Sequence, residues 1–528
     1  MNKIILITIS FLIGYSAFSQ QEMIVYFKDK NSSTTLMQHF SERSMQRRAI
    51  NHVEFDEFDK LVSNEYLSEI QNFGTIKNIS RWLNAVTLTT FHSEQEIIQN
   101  CPFVSKIKVI SQTSSKIEKP LDLNAKAIDY GVAVTQAEQL NLACLHDNGF
   151  TGNGVYLAVI DAGFNNMDNI NYFDSVYNSN RVVDVYNFID NSENIYGLSQ
   201  HGTAVASCIV GYKAAPFEYA GTGVGVDLAL YVTEDVSSET ELEEFNLVTA
   251  LERCDSVGVN IANISLGYVD FDDPSENHSY EDMNGSTTIA AIGVNVAFSK
   301  GILVVAAAGN SGPSYLSTPC DADDGLCVGA VDANGFYANF SSVGPASDGA
   351  IKPNVSAMGR DSWVVDENGD VIQSSGTSFA SPIIAGAAAC LLQAHPTNTV
   401  QEIKSAIEQS AHQFDSPDEF LGYGIPDFCD ANSILESLSL DELTHQNEIQ
   451  LFQNPANDFI SVKVTNKQEI ENVDFTFTNL LGQNVELDVI EKNAKTITFN
   501  VSSLLNGVYF LNIELSESII TKEIVIAH

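Results

Sequence analysis

The chain has 528 residues, 44% of them apolar, and sets 26 Lys/Arg against 68 Asp/Glu for a formal net charge of −42. That apolar content over that length excludes wholesale disorder and leaves room for about three domains, each with its own core. A surface this acidic repels phosphate backbones and anionic lipid, so neither nucleic acid nor a membrane surface is an expected partner; solubility outside the cell, or bulk cation binding, accounts for the excess.

Residues 1–19 open with Met-Asn-Lys, run apolar from Ile4 to Ile13 and end Ala17-Phe18-Ser19. A basic start, a short apolar core and small residues before the exit predict a cleaved signal peptide. Residues 20–118 mix strand-like runs, Met23–Phe27 and Ala85–Thr89, with a helical spacing over Leu61–Phe73. The polar stretch Lys116–Ala125 contains Pro120 and reads as a linker. Charge changes there too: residues 20–126 hold 13 basic and 13 acidic side chains, residues 127–440 hold 7 and 42. Two separately built segments are expected on either side.

From residue 127 the pattern alternates strand and helix. Val155–Ile160, Leu228–Val232, Ile261–Leu266 and Ile302–Ala308 are strand-like, with helical stretches Leu242–Val257 and Thr287–Ser299 between them. This predicts an α/β domain with a doubly wound parallel sheet, whose ligand site lies beyond the carboxyl ends of the strands. After a linker at Ser437–Gln446, residues 449–528 form short β-type runs separated by Asn466, Gly482 and Asn506-Gly507, which predicts a small β-sandwich.

Eight cysteines in an exported chain permit disulfides. Cys320 and Cys327 lie close together among turn formers and are expected to staple a loop, whereas Cys208 and Cys390 sit in apolar helical runs and are expected as free thiols. Neither Cys-x-x-Cys nor His-Glu-x-x-His occurs, so the sequence assigns no metal ligands.

Four segments close a predicted strand or open a predicted helix. Asp161 follows Ala158-Val159-Ile160; His201-Gly202-Thr203 precedes a run suited to a buried helix; Ser375-Gly376-Thr377-Ser378 opens the small-residue helix Phe379–Ala394; and Asn310 follows Val304–Gly309. Singly, each is as well explained by a cap, a turn or a loop. Jointly they supply what acyl transfer to water needs: a nucleophile, a base to take its proton, a carboxylate to fix the base, and an amide for the oxyanion.

These segments, in the order Asp, His, Asn, Ser, closely resemble the motifs of the subtilase (subtilisin, peptidase S8) family over residues 129–435. The resemblance implies a subtilisin-like fold and a secreted serine endopeptidase, with Ser378 as nucleophile, His201 as general base and acid, Asp161 as orienting carboxylate and Asn310 as oxyanion donor. It implies that Ser265, Leu266 and Gly267, together with Ala307, Ala308 and Gly309, line the substrate cleft. Phe340–Gly344 and Lys352–Ala357 look like the family's connecting strands. Ala204 stands where the family commonly has a second His, and the stretch Tyr212–Gly225 matches no calcium loop. No cofactor is expected for the chemistry, although a structural calcium is compatible with the family.

Residues 20–118 resemble the family's bacterial pro-segments through Tyr26–Lys30 and Trp82–Val86, which implies an intramolecular inhibitor and chaperone. Asn454–Asp458, Leu481-Gly482-Gln483, Gly507–Phe510 and Thr521-Lys522 resemble the C-terminal sorting domain of the type IX secretion system. The expected organisation is a signal peptide (1–19), pro-segment (20–118), peptidase domain (119–440) and sorting sandwich (449–528), in a monomer exported through the periplasm of a Gram-negative bacterium to the surface or medium. Its expected partners are polypeptide substrates, its own pro-segment and the type IX machinery. The rivals are an inactive subtilase fold serving as an adhesin, and an esterase with the same triad. Small residues along the cleft leave room for a large apolar side chain, whereas Asp321, Asp323 and Asp324 would favour a basic one if they reached the pocket floor.

Overall fold

A computed structural model of the chain describes residues 20–30, 39–110, 130–214, 219–437, 449–464, 474–479, 484–514 and 519–528. The expected signal peptide, the linker at Lys116–Ala125, nearly all of the linker at Ser437–Gln446 and the segment Leu481-Gly482-Gln483 lie outside the described residues. The chain divides into two compact units, one reaching Asn432 and one from Ser433 onward.

The first unit begins with a four-stranded antiparallel sheet, Gly74–Ser80, Ala85–Phe91, Gln20–Phe27 and Val104–Ile110 in spatial order. Alternation sets its two faces. Met23, Val25 and Phe27 point into a core with Val62, Ile70, Val86 and Leu88, beneath the helices Asn64–Ile70 and Gln95–Gln99. Ile24 points the other way and joins Ala85, Ile110 and Phe245. Phe245 belongs to the helix Glu241–Val257, so the outer face of this sheet is sealed by the domain that follows.

That domain is built on seven parallel strands in the order Val355–Met358, Leu326–Val331, Leu303–Ala307, Ile261–Ile264, Tyr156–Asp161, Asp227–Val232 and Val182–Asn187. The interior strands are largely apolar on both faces because helices cover both. From the interior strand Tyr156–Asp161 the chain winds to one edge and back, then crosses to Ile261–Ile264 and winds toward the other edge. The winding direction reverses between these neighbours, which is where open α/β sheets place their ligands. The helix Thr377–Ala394 is long and apolar enough to cross a membrane, but it is buried and packs on the sheet as the core helix.

Two strands, Val182–Asn187 and Leu326–Val331, go beyond the sequence reading. Asp184 and Asn187 break the apolar signal of the first, and Gly329 breaks that of the second. Conversely, residues 340–344 form no strand. There the Ser341 hydroxyl accepts from Ala330 N (3.1 Å) and the Ser342 hydroxyl accepts from Ser311 N (3.3 Å), so side chains take the backbone partners a ladder would use.

The second unit has two four-stranded antiparallel sheets: Ile449–Phe452, Phe459–Val464, Thr496–Asn500 and Val489–Lys492 in one, and Asn484–Val485, Asp474–Asn479, Gly507–Glu514 and Ile519–Ile526 in the other. Ile460, Val462, Ile497 and Phe499 of the first share one core with Phe477, Leu511, Ile513 and Ile524 of the second, the inward halves of alternating strands.

Candidate active site

Asp161 is the last residue of the strand Tyr156–Asp161 and has no solvent exposure. Its Oδ1 lies 2.8 Å from Nδ1 of His201, the first residue of the helix His201–Val210, and also accepts from Ala162 N at 2.8 Å. The close approach requires Gly202. A Cβ there would meet the Gly163 carbonyl oxygen at 2.4 Å and the Asp161 Cβ at 3.0 Å. Gly202 N instead donates to that carbonyl at 3.0 Å, pinning the start of the helix beside the carboxylate.

Ser378 is the second residue of the helix Thr377–Ala394 and is 8% exposed. Its hydroxyl donates to the Ser265 carbonyl at 3.2 Å. Pro382 has no N–H to offer the carbonyl of Ser378 four residues earlier, and the Ser265 hydroxyl takes that place at 2.8 Å. Asn263 Nδ2 donates to the Ser265 hydroxyl (3.0 Å), and Ser381 donates to Asn263 Oδ1 (2.7 Å). This buried chain of polar groups ties the turn that carries Ser378 to the neighbouring strand. Its sequence signal is a single amide, Asn263, inside the apolar run Ile261–Ile264. The helices opened by His201 and Ser378 pack on each other, and the Phe379 ring lies 6.1 Å from the imidazole.

Asn310 follows the strand Leu303–Ala307. Its Oδ1 accepts from Thr377 N at 2.9 Å and from the Thr377 hydroxyl at 3.1 Å. The same hydroxyl accepts from Gly309 N at 3.2 Å. With Oδ1 committed twice, the amide is held in one orientation and Nδ2 is the donor left for the cleft. Thr377 is a positioning residue that its place before Ser378 alone did not reveal.

Ser378 and Asn310 line a cleft of about 370 Å³ together with Ser265, Leu266, Gly267, Ala307 and Gly309. Ala308 is not part of this lining: its methyl is buried in the core beneath the sheet, and its carbonyl accepts from Ser317 N at 3.0 Å. Asp321, Asp323 and Asp324 do not line it either. Asp321 is fully buried, accepts from Gly285 N at 3.0 Å, and has its carboxyl pushed upward by burial. The acids that do line the cleft are Glu239 and Asp270. Behind them Glu243 is buried, and burial together with Glu234 raises its carboxyl to about 10 while it caps Thr240.

The sheet formed by the strands between Gln20 and Ile110 docks on the helix Glu241–Val257 through Glu252. That carboxylate accepts from the Ser80 hydroxyl (2.5 Å), Arg81 N (3.1 Å) and Trp82 N (3.0 Å). Beside it Asp255, fully buried, pairs with Arg47, Arg48 and Arg81, and Lys300 pairs with Asp59. The N-terminal segment thus supplies three guanidinium groups to a domain poor in cations. Disulfides link Cys320 to Cys327 and Cys144 to Cys429, the second bridging 285 residues; Cys208 and Cys390 are buried free thiols.

Residues 152–424 match the subtilase family, residues 22–124 the peptidase S8 propeptide domain of Bacteroidota, and residues 450–527 the secretion system C-terminal sorting domain. Among curated relatives, subtilisin amylosacchariticus of Bacillus subtilis subsp. amylosacchariticus is 31% identical over 292 residues, 54% of this chain and 67% of the relative. Subtilisin of Bacillus pumilus is 30% identical over 292 residues (54% and 92%), and subtilisin BL of Lederbergia lenta 28% over 288 (54% and 92%).

Proposed function

This chain belongs to the subtilase family of serine peptidases, and from that membership and the geometry of its cleft we propose an endopeptidase that works through an acyl-enzyme on Ser378. The observation that carries the assignment is the 2.8 Å contact between His201 Nδ1 and Asp161 Oδ1 at the head of the helix that packs on the Ser378 helix. With Nδ1–H donated to the carboxylate, Nε2 is the basic nitrogen. The Ser378 hydroxyl gives its proton to Nε2 as Oγ attacks the peptide carbonyl. Negative charge then grows on the carbonyl oxygen, facing Asn310 Nδ2 at the positive end of the Thr377–Ala394 helix. Collapse expels the amine, which takes the proton from His201. Water, deprotonated by the same imidazole, hydrolyses the ester and returns Ser378.

Every step uses side chains of this chain and calls on no cofactor. Kinetics on matched peptide and ester substrates test the reading: cleavage within peptides by the wild type, absent in Ser378→Ala, supports it, and turnover of esters alone supports esterase chemistry instead.

The chain carries a propeptide domain and a sorting domain that marks it for secretion or the cell surface. We propose further that residues 20–118 inhibit the peptidase and assist its folding until they are cut away. The tail would be read by the type IX machinery after passage through the periplasm.

A further inference from the structure

We propose that Glu241, Glu244 and His278 form a binding site for a divalent transition-metal cation of the zinc type, which the N-terminal segment holds closed with Lys108.

One donor atom from each of the three residues lies within 4.8 Å of the others. Glu241 and Glu244 are three residues apart in the first turn of the helix Glu241–Val257, on one face. His278 returns to them from the acidic loop between the strand Ile261–Ile264 and the helix Ile289–Ser299. The side chains are 5%, 0% and 10% exposed, so these are not carboxylates scattered in solvent. Glu244 Oε2 accepts from Ala290 N at 2.8 Å, which fixes the carboxylate and leaves Oε1 in contact with His278 Nε2. A ligand carboxylate is commonly oriented in this way by a hydrogen bond to its outer oxygen. One imidazole and two carboxylates suit a small divalent transition cation with water in the remaining position; calcium, which takes six to eight oxygens, is poorly served.

A separate observation shows that the site takes positive charge. Nζ of Lys108, on the strand Val104–Ile110, meets Glu241 Oε2. This ammonium is drawn from a different segment of the chain into an acidic surround that includes Glu244 and Glu276, although burial pulls its pKa below the usual lysine range. Lys108 itself is 38% exposed, so its removal opens a path from solvent. Once it leaves with the N-terminal segment, Glu241 loses its counter-charge. Without that ammonium the neighbouring carboxylates Glu241 and Glu244 repel each other, and a cation bridging all three residues relieves the repulsion. The inference rests on the reading that residues 20–118 depart on maturation, which would couple removal of the inhibitor to metal uptake.

Full-length Ser378→Ala protein, with and without Lys108→Met, separates the site from the maturation step. Both are titrated with Zn²⁺ by calorimetry and with Co²⁺ by visible absorption, after circular dichroism has verified the fold. The expected result is one additional equivalent of Zn²⁺ and a new Co²⁺ band in the Lys108→Met protein, both lost on adding either His278→Gln or Glu241→Gln. No gain in the folded Lys108→Met protein, or a gain that survives both ligand substitutions, overturns the proposal. Neither result bears on whether the N-terminal segment is cleaved.

Discussion

Thr377 grips the side-chain oxygen of Asn310 twice, by its backbone N–H at 2.9 Å and by its hydroxyl at 3.1 Å. The residue before Ser378 therefore orients Asn310, the proposed oxyanion donor. Asn310→Ala should lower kcat about 10²–10³-fold with KM nearly unchanged, the range a single oxyanion donor supplies. Thr377→Val keeps the backbone bond and loses the hydroxyl, so it should reduce kcat by roughly fivefold, also without changing KM, since one neutral hydrogen bond contributes about 1 kcal/mol. Steady-state kinetics decide. A change confined to KM would make Asn310 a substrate-binding residue and Thr377 its support.

The acids lining the cleft are Glu239 and Asp270, which predicts a preference for Lys or Arg on the acyl side of the cut bond. Glu239→Gln combined with Asp270→Asn should lower kcat/KM for basic peptides by about tenfold while sparing apolar ones, and less so at high salt. A cleavage profile over a peptide library, unchanged between the two proteins, would remove these residues from specificity.

Glu252 takes two backbone N–H groups and a hydroxyl from Ser80–Trp82. In the uncleaved Ser378→Ala chain, Glu252→Ala leaves those donors buried without a partner, and should cost about 3–5 kcal/mol. If residues 20–118 are cut away as proposed, the same side chain would face solvent, and the cost should fall below about 1 kcal/mol. Denaturant midpoints for the two forms test this contrast; an equal loss in both would mean that Glu252 supports the peptidase domain itself.

Glu243 is buried with its carboxyl raised to about 10, first by burial and then by Glu234, with Glu239 adding to the effect. Between pH about 4.5 and about 10 the folded protein retains a proton that the unfolded chain has released, so its contribution to stability is complete at low pH and is lost as pH rises. Glu243→Gln preserves the cap on Thr240 and removes the titration. Relative to wild type it should gain stability steadily from pH 5 to pH 9, by on the order of 1 kcal/mol per pH unit. Urea midpoints across that range provide the check, and a difference independent of pH would contradict it.

Much of this was legible before the structure because the signals were local. Apolar runs ending in Asp161, Gly267 and Asn310 lie at the ends of interior strands, and the small-residue helix after Ser378 is the core helix. What escaped depends on distant partners. Thr377 acquires its role from Asn310, and Glu252 from the turn at Ser80–Trp82, while the Cys144–Cys429 bridge joins segments 285 residues apart. Ala308 was expected in the cleft with Ala307 and Gly309, but side chains alternate along an extended chain, and its methyl falls on the core side. The edge strand Val182–Asn187 was obscured by Asp184, whose carboxylate is there to receive Arg253 and the Tyr231 hydroxyl.

The most direct test of the central claim is covalent labelling of the mature enzyme with a fluorophosphonate, followed by peptide mapping. A nucleophile activated by His201 at the head of the Thr377–Ala394 helix should carry the adduct on Ser378 alone, with activity lost in proportion to labelling, and Ser378→Ala should neither label nor cleave peptides. Adduct on a different residue, or peptide cleavage retained by Ser378→Ala, would contradict the account.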